Sequence, residues 1–95
     1  MTNSLRYGPG TLRVSVGETV TWRNTSDLIH TVTADPEKAM DVANVRLPEG
    51  AETFDSGNLR PGETFSHTFR VPGEYVYFCI PHEAAGMVGR IVVSP

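Results

Sequence analysis

Gly73-Glu74-Tyr75-Val76-Tyr77-Phe78-Cys79-Ile80-Pro81-His82-Glu83-Ala84-Ala85-Gly86-Met87-Val88-Gly89-Arg90-Ile91-Val92-Val93 is the stretch that decides the fold. It begins after a Pro72-Gly73 turn, runs as an aromatic-rich strand from Glu74 to Cys79, and resumes as a strand from Val88 to Val93. Between the two lies a loop whose Pro81 restricts the backbone and whose Gly86 permits a conformation that a Cβ disfavours. A thiol, an imidazole and a thioether fall within nine residues of that strand–loop–strand unit, close enough to face one point.

Upstream, the same period-two signature repeats. Thr11 to Val16 alternates polar and apolar residues, Gly17-Glu18 turns, and Thr19 to Arg23 alternates again with Val20 and Trp22 on one side. After the turn cluster Asn24 to Asp27, Leu28 to Ala34 reads as a third strand with Leu28, His30, Val32 and Ala34 on one face, so the His30 ring is expected to point inward. Asp35 and Pro36 read as an N-cap and first position of one short helix in the 35–45 region. Residues 43–57 carry no clear period, with Phe54 the expected anchor to the core; Thr64 to Val71 is another strand. Six clear strands and one or two less clear ones, separated by Gly, Pro and Asn turns, predict an all-β sandwich or barrel.

Ninety-five residues are read as one domain, 1–95, in which 1–10 form an irregular lead-in. The net charge of -3 argues against nucleic acid, which needs a basic stripe, and offers anionic lipid nothing. Acidity is concentrated between 35 and 55, where six carboxylates face only Lys38 and Arg46. This segment reads first as a solvated loop and second as a dock for a basic partner. No run reaches membrane-spanning length, and no apolar leader is present. Cys79 is the only cysteine, so it forms no intramolecular disulfide.

Two imidazoles, one thiolate and a weak thioether are the donor set of a blue-copper electron-transfer site: soft sulfur suits Cu(I), and imidazole suits both oxidation states. His30, Cys79, His82 and Met87 are therefore the candidate ligands of one copper ion. Singly, each has a plainer reading: His30 as a hydrogen-bonded core residue, His82 as a solvated loop residue, Met87 as core filler. Their combination shifts the balance toward copper. His67 shares a parity with Phe65 and Phe69, has no chemical neighbours in sequence, and is assigned a structural or partly exposed role outside the site. A hydrolytic or oxidase site with an open metal position and a copper-storage module are the competing classes. Met87 in the fourth position argues against the first, and three methionines in all argue against the second.

The segment Tyr77 to Gly89 resembles the copper loop of plastocyanins, members of the cupredoxin family, and its Cys-x2-His-x4-Met spacing is that of plastocyanin rather than of the shorter-looped amicyanins. Gly17 to Trp22, Ile29 to Val32, Pro61 to Phe65 and Pro72 to Tyr75 extend the resemblance over residues 11–93. It implies a Greek-key β-sandwich, cupredoxin-like, with copper near one end. It also implies an electron carrier rather than an enzyme, passing single electrons between larger redox proteins. The donor would be a cytochrome complex; the acceptor would be an oxidase, reductase or photosystem. Docking is expected at the apolar surface of Leu28, Pro81, Ala84, Ala85 and Gly86 around His82, uncharged except for Glu83. The carrier is expected to be a monomer in the periplasm, a thylakoid lumen or at the extracellular face of a membrane. Two positions depart from the family: Thr31 stands where Asn usually braces the copper loop, and Phe78 where Tyr commonly precedes the cysteine.

Overall fold

The computed structural model describes residues 1–95. Its seven strands are β1 (Thr11–Ser15), β2 (Thr19–Arg23), β3 (Thr33–Ala34), β4 (Phe54–Asp55), β5 (Thr64–Thr68), β6 (Gly73–Phe78) and β7 (Val88–Ser94). One sheet runs in the order β1-β7-β6-β3-β4, with β1 parallel to β7; the other pairs β2 with β5 antiparallel. These two sheets make the β-sandwich that the alternating runs predict.

The inward faces meet around Trp22. Its indole packs against Phe65 at 5.8 Å and Tyr77 at 5.5 Å between ring centres, and against Phe54 and Phe69 at 6.3 Å. Indole Nε1 donates to the Tyr77 hydroxyl at 3.3 Å, so the buried polar edge is satisfied. Phe54 is buried, as its anchoring role requires. Tyr77 lies opposite Gly89 in the β6–β7 register, and a Cβ at Gly89 would run into the Tyr77 ring. Gly89 thus has no room for a side chain, and neither does Gly73 at the start of the same ladder, where a Cβ would meet Pro48.

One expectation is refined and one is corrected. The short helix expected at 35–45 starts at Asp35 and Pro36 but takes the form of two 3₁₀ turns, Pro36–Lys38 and Val42–Asn44, capped by the Asp35 and Asp41 carboxylates at 3.1 and 2.9 Å. Neither turn has a buried residue, so no apolar stripe extends it into a longer helix. The third strand is shorter than its alternation suggests. His30 makes only an isolated bridge to Leu59, and both parities from 30 to 34 are buried, while Leu28 is 40% exposed. Residues 1–10 form no strand or helix, yet Met1 and Tyr7 within them are buried.

His67 lies where its sequence neighbours suggest, stacked on Phe54 at 4.3 Å and edge-on to Phe69 at 4.9 Å. Burial lowers its pKa, against a smaller opposing pull from Glu52; Arg70 lines the same pocket. The unfolded chain, with a histidine near about 6.5, then takes up the proton first. Stability from this group is full above that value and is lost as pH falls through the lowered folded pKa. Urea midpoints of the copper-free protein should fall between about pH 7 and 5 more steeply for wild type than for His67→Gln. Parallel pH profiles would contradict this.

Candidate metal centre

His30, Cys79 and His82 come together from different elements. His30 is fully buried beside β3, tied to Leu59 by a pair of backbone bonds (His30 N to Leu59 O, 3.2 Å; Leu59 N to His30 O, 2.7 Å). The turn before it is organised by Asn24, whose buried amide donates to the carbonyls of Leu28 at 2.7 Å and Leu59 at 2.9 Å. Cys79 follows β6 directly and caps the segment Ile80–Ala85, two 3₁₀ turns that kink at His82 (φ -123°, ψ 16°) and close at Gly86 with φ 83°. That left-handed geometry is the reason a glycine stands there.

The donor atoms converge on sulfur. Cys79 Sγ lies 3.6 Å from His30 Nδ1 and 3.3 Å from His82 Nδ1, and the three donor atoms fall within 4.8 Å of one another. Two imidazole nitrogens of the same kind facing one thiol sulfur fit the donor preferences of copper. Met87, the fourth candidate, is buried, and its backbone closes the loop: Cys79 N donates to Met87 O at 3.1 Å and Met87 N to His82 O at 3.3 Å.

The electrostatics suit a cation. Burial pushes the Cys79 thiol pKa up, only partly offset by hydrogen bonds led by the Thr31 N–H, which donates to Sγ at 3.3 Å. Burial and then the neighbouring His82 push His30 down. A thiol that resists ionisation next to an imidazole that resists protonation is a site lacking positive charge, which a metal ion would supply.

Thr31 braces the loop despite its shorter reach. Its hydroxyl accepts from Ile80 N at 2.8 Å and pairs with Thr33 at 2.9 Å; Thr33 donates to Asp55 at 3.0 Å, and Lys38 closes the chain on Asp55 at 2.6 Å. The carboxylate at the far end fixes the direction, so the Thr31 hydroxyl donates outward and accepts from the copper loop. Burial pushes the Asp55 pKa up, but bonds from Lys38, Gly57 and Thr33 outweigh it and hold it low.

Glu83 overturns one expectation. It is not a charge on the apolar surface but a buried group, 4% exposed. Its carboxylate accepts from Met40 N at 2.9 and 3.1 Å, Asp41 N at 3.1 Å and Asn44 Nδ2 at 2.9 Å. Burial raises its pKa, yet these donors win and lower it. The carboxylate straps residues 40–44 to the loop. Pro81, Ala84, Ala85 and Gly86 are exposed around a half-buried His82, and Ile80 adds 41% of its surface to the same loop.

Sequence reasoning missed Tyr7 and Thr2. Tyr7 OH donates to Thr31 O at 2.6 Å, and Thr2 O lies 3.1 Å from His30 Nε2. No local signal marks either, because both partners lie more than twenty residues away.

The chain is similar to known proteins in sequence and in fold. A family model described as copper binding proteins, plastocyanin/azurin family, matches residues 1–94. Plastocyanin A'/A'' of Nicotiana tabacum is 37% identical over 93 residues, covering 95% of this chain and 89% of its own. Among solved structures, a purple cupredoxin from Nitrosopumilus maritimus matches with a TM-score of 0.71 at 32% identity, over 93% of this chain and 81% of that one. An oxidized amicyanin variant matches with a TM-score of 0.72 at 31% identity, over 95% and 74%.

Proposed function

Because this chain belongs to the plastocyanin/azurin family of copper-binding proteins, it is a small blue-copper carrier of single electrons and not an enzyme, and we propose that His30, Cys79, His82 and Met87 hold its one copper ion. The observation that carries this assignment is the convergence of His30 Nδ1 and His82 Nδ1 on the Cys79 sulfur. Copper bound to such donors cycles between Cu(I) and Cu(II).

The chain's contribution is to hold the donors still. Cys79 and Met87 are joined through the backbone, Thr31 takes the Ile80 N–H, and Glu83 fastens the middle of the loop to residues 40–44. Donors fixed on every side have little freedom to rearrange when the charge at the centre changes, which favours fast electron exchange. His30 is sealed, so the ring that can meet a partner is His82, half-buried among exposed Pro81, Ala84, Ala85 and Gly86. With Glu83 turned inward this loop surface presents no charge.

The partners are redox proteins. In this reading they are a cytochrome complex as donor and an oxidase, reductase or photosystem as acceptor, docking around His82. No helix is long and apolar enough to cross a membrane. Residues 1–95 act as one monomeric domain in an exported compartment: the periplasm, a thylakoid lumen or the outer face of a membrane.

X-ray absorption at the copper edge tests the ligand set. The expected first shell holds two nitrogens and one short sulfur, with a second sulfur weaker and longer. A shell of nitrogen and oxygen alone would overturn the assignment.

A further inference from the structure

The first seven residues are sewn onto the turn that precedes His30. Met1 O accepts from Thr25 N at 3.2 Å and from Thr25 Oγ1 at 2.8 Å, and Asn3 Oδ1 accepts from Asp27 N at 2.9 Å. Two contacts reach further in. A carbonyl only accepts, so Thr2 O, 3.1 Å from His30 Nε2, places the ring proton on Nε2 and leaves the Nδ1 lone pair toward Cys79. Tyr7 OH holds Thr31 O at 2.6 Å, on one side of the Thr31 Cα; on the other side Thr31 N–H donates to Cys79 Sγ at 3.3 Å. The Tyr7 ring is itself fixed, edge-on to Tyr77 at 4.7 Å.

We propose that Thr2 and Tyr7 are positioning residues of the electron-transfer site. Thr2 fixes the His30 tautomer through its backbone carbonyl, and Tyr7 fixes the Thr31 backbone and thereby the N–H bond into the Cys79 sulfur. The proposal rests on the ligand assignment above. An N–H bond to a ligating thiolate draws electron density from the sulfur and tunes the potential, so a residue that aims that bond acts on the reaction without touching its reacting atoms.

Tyr7→Phe separates this role from simple core filling, because it keeps the ring and removes only the hydroxyl. In copper-free protein the Thr31 amide should exchange about tenfold faster, the equivalent of one buried hydrogen bond, while Ile91 and Val93 amides change no more than overall stability does. In copper-loaded protein the reduction potential and the sulfur charge-transfer band should both move. A lower melting temperature with Thr31 exchange, band and potential all unchanged would reduce Tyr7 to a core residue and overturn its part.

A second variant addresses Thr2 and does not depend on Tyr7→Phe folding. Deleting Met1–Asn3 removes the Thr2 carbonyl, and the ring nitrogen resonances of His30 in copper-free protein, above the histidine titration range, should change from one fixed tautomer to a mixture. An unchanged Nε2–H tautomer would overturn that part. Failure of the ligand assignment itself would show elsewhere, as a Cys79→Ser protein that keeps its colour, without altering these copper-free readings.

Discussion

Cys79→Ser yields a protein that folds but shows no intense visible band with Cu(II) and no reversible cycling with a mild reductant. Serine nearly matches the thiol in shape, and Cys79 is fully buried in a site already lined by polar donors, so the cost to the copper-free fold is about 1 kcal/mol. The cost to the metal is larger. Groups that merely orient a ligand lower affinity about 10–100-fold when removed, so losing the sulfur proposed as a ligand should cost at least about 100-fold. The sulfur also cannot be replaced from elsewhere, since no second cysteine exists. Titration with Cu(II) followed by absorption checks both parts; a variant that stays blue would place the thiolate outside the centre.

Trp22→Ala should come close to unfolding the protein. Removing a buried large aromatic costs about 3–5 kcal/mol, and a domain of this size has about 5–15 in total. Here four aromatic partners lose their common contact, and Tyr77 loses the indole donor to its hydroxyl. Tyr77 packs against Tyr7, so the damage is expected to spread toward Thr31 and the copper loop. The melting temperature of copper-free protein should fall by roughly 15 °C or more, at about 4–8 °C per kcal/mol. A drop under about 5 °C would mean that the two sheets meet around some other residue.

What the sequence disclosed depended on distance along the chain. The copper loop was legible because a thiol, an imidazole and a thioether crowd into nine residues between two strand-like runs, a pattern that has few other uses. The inward direction of His30 was read correctly from period two, although the period itself is imperfect: Thr31 and Thr33 on the opposite parity are buried as well, satisfied by Thr–Thr–Asp hydrogen bonds. Asp35 was legible as a cap because capping is local. The helix it starts was legible, but its length was not: it stays a single 3₁₀ turn, since helix length is set by an apolar face the segment lacks.

Glu83 was misread for the opposite reason. A carboxylate in a loop is normally solvated, and the backbone donors that bury this one lie at Met40 and Asp41, more than forty residues away. Tyr7 was lost inside an apparent lead-in on the same ground. A side chain whose role depends on a distant partner leaves no periodic trace, and the outer supports of the site are of this kind, whereas its candidate ligands are mostly contiguous.

The central claim is that His30, Cys79, His82 and Met87 act together on a single ion. Its most direct test is the visible absorption spectrum of the copper-loaded protein during a redox titration. One equivalent of copper should give an intense blue band that disappears on one-electron reduction and returns on oxidation. A colourless Cu(II) complex, or colour that does not follow the titration, would contradict it.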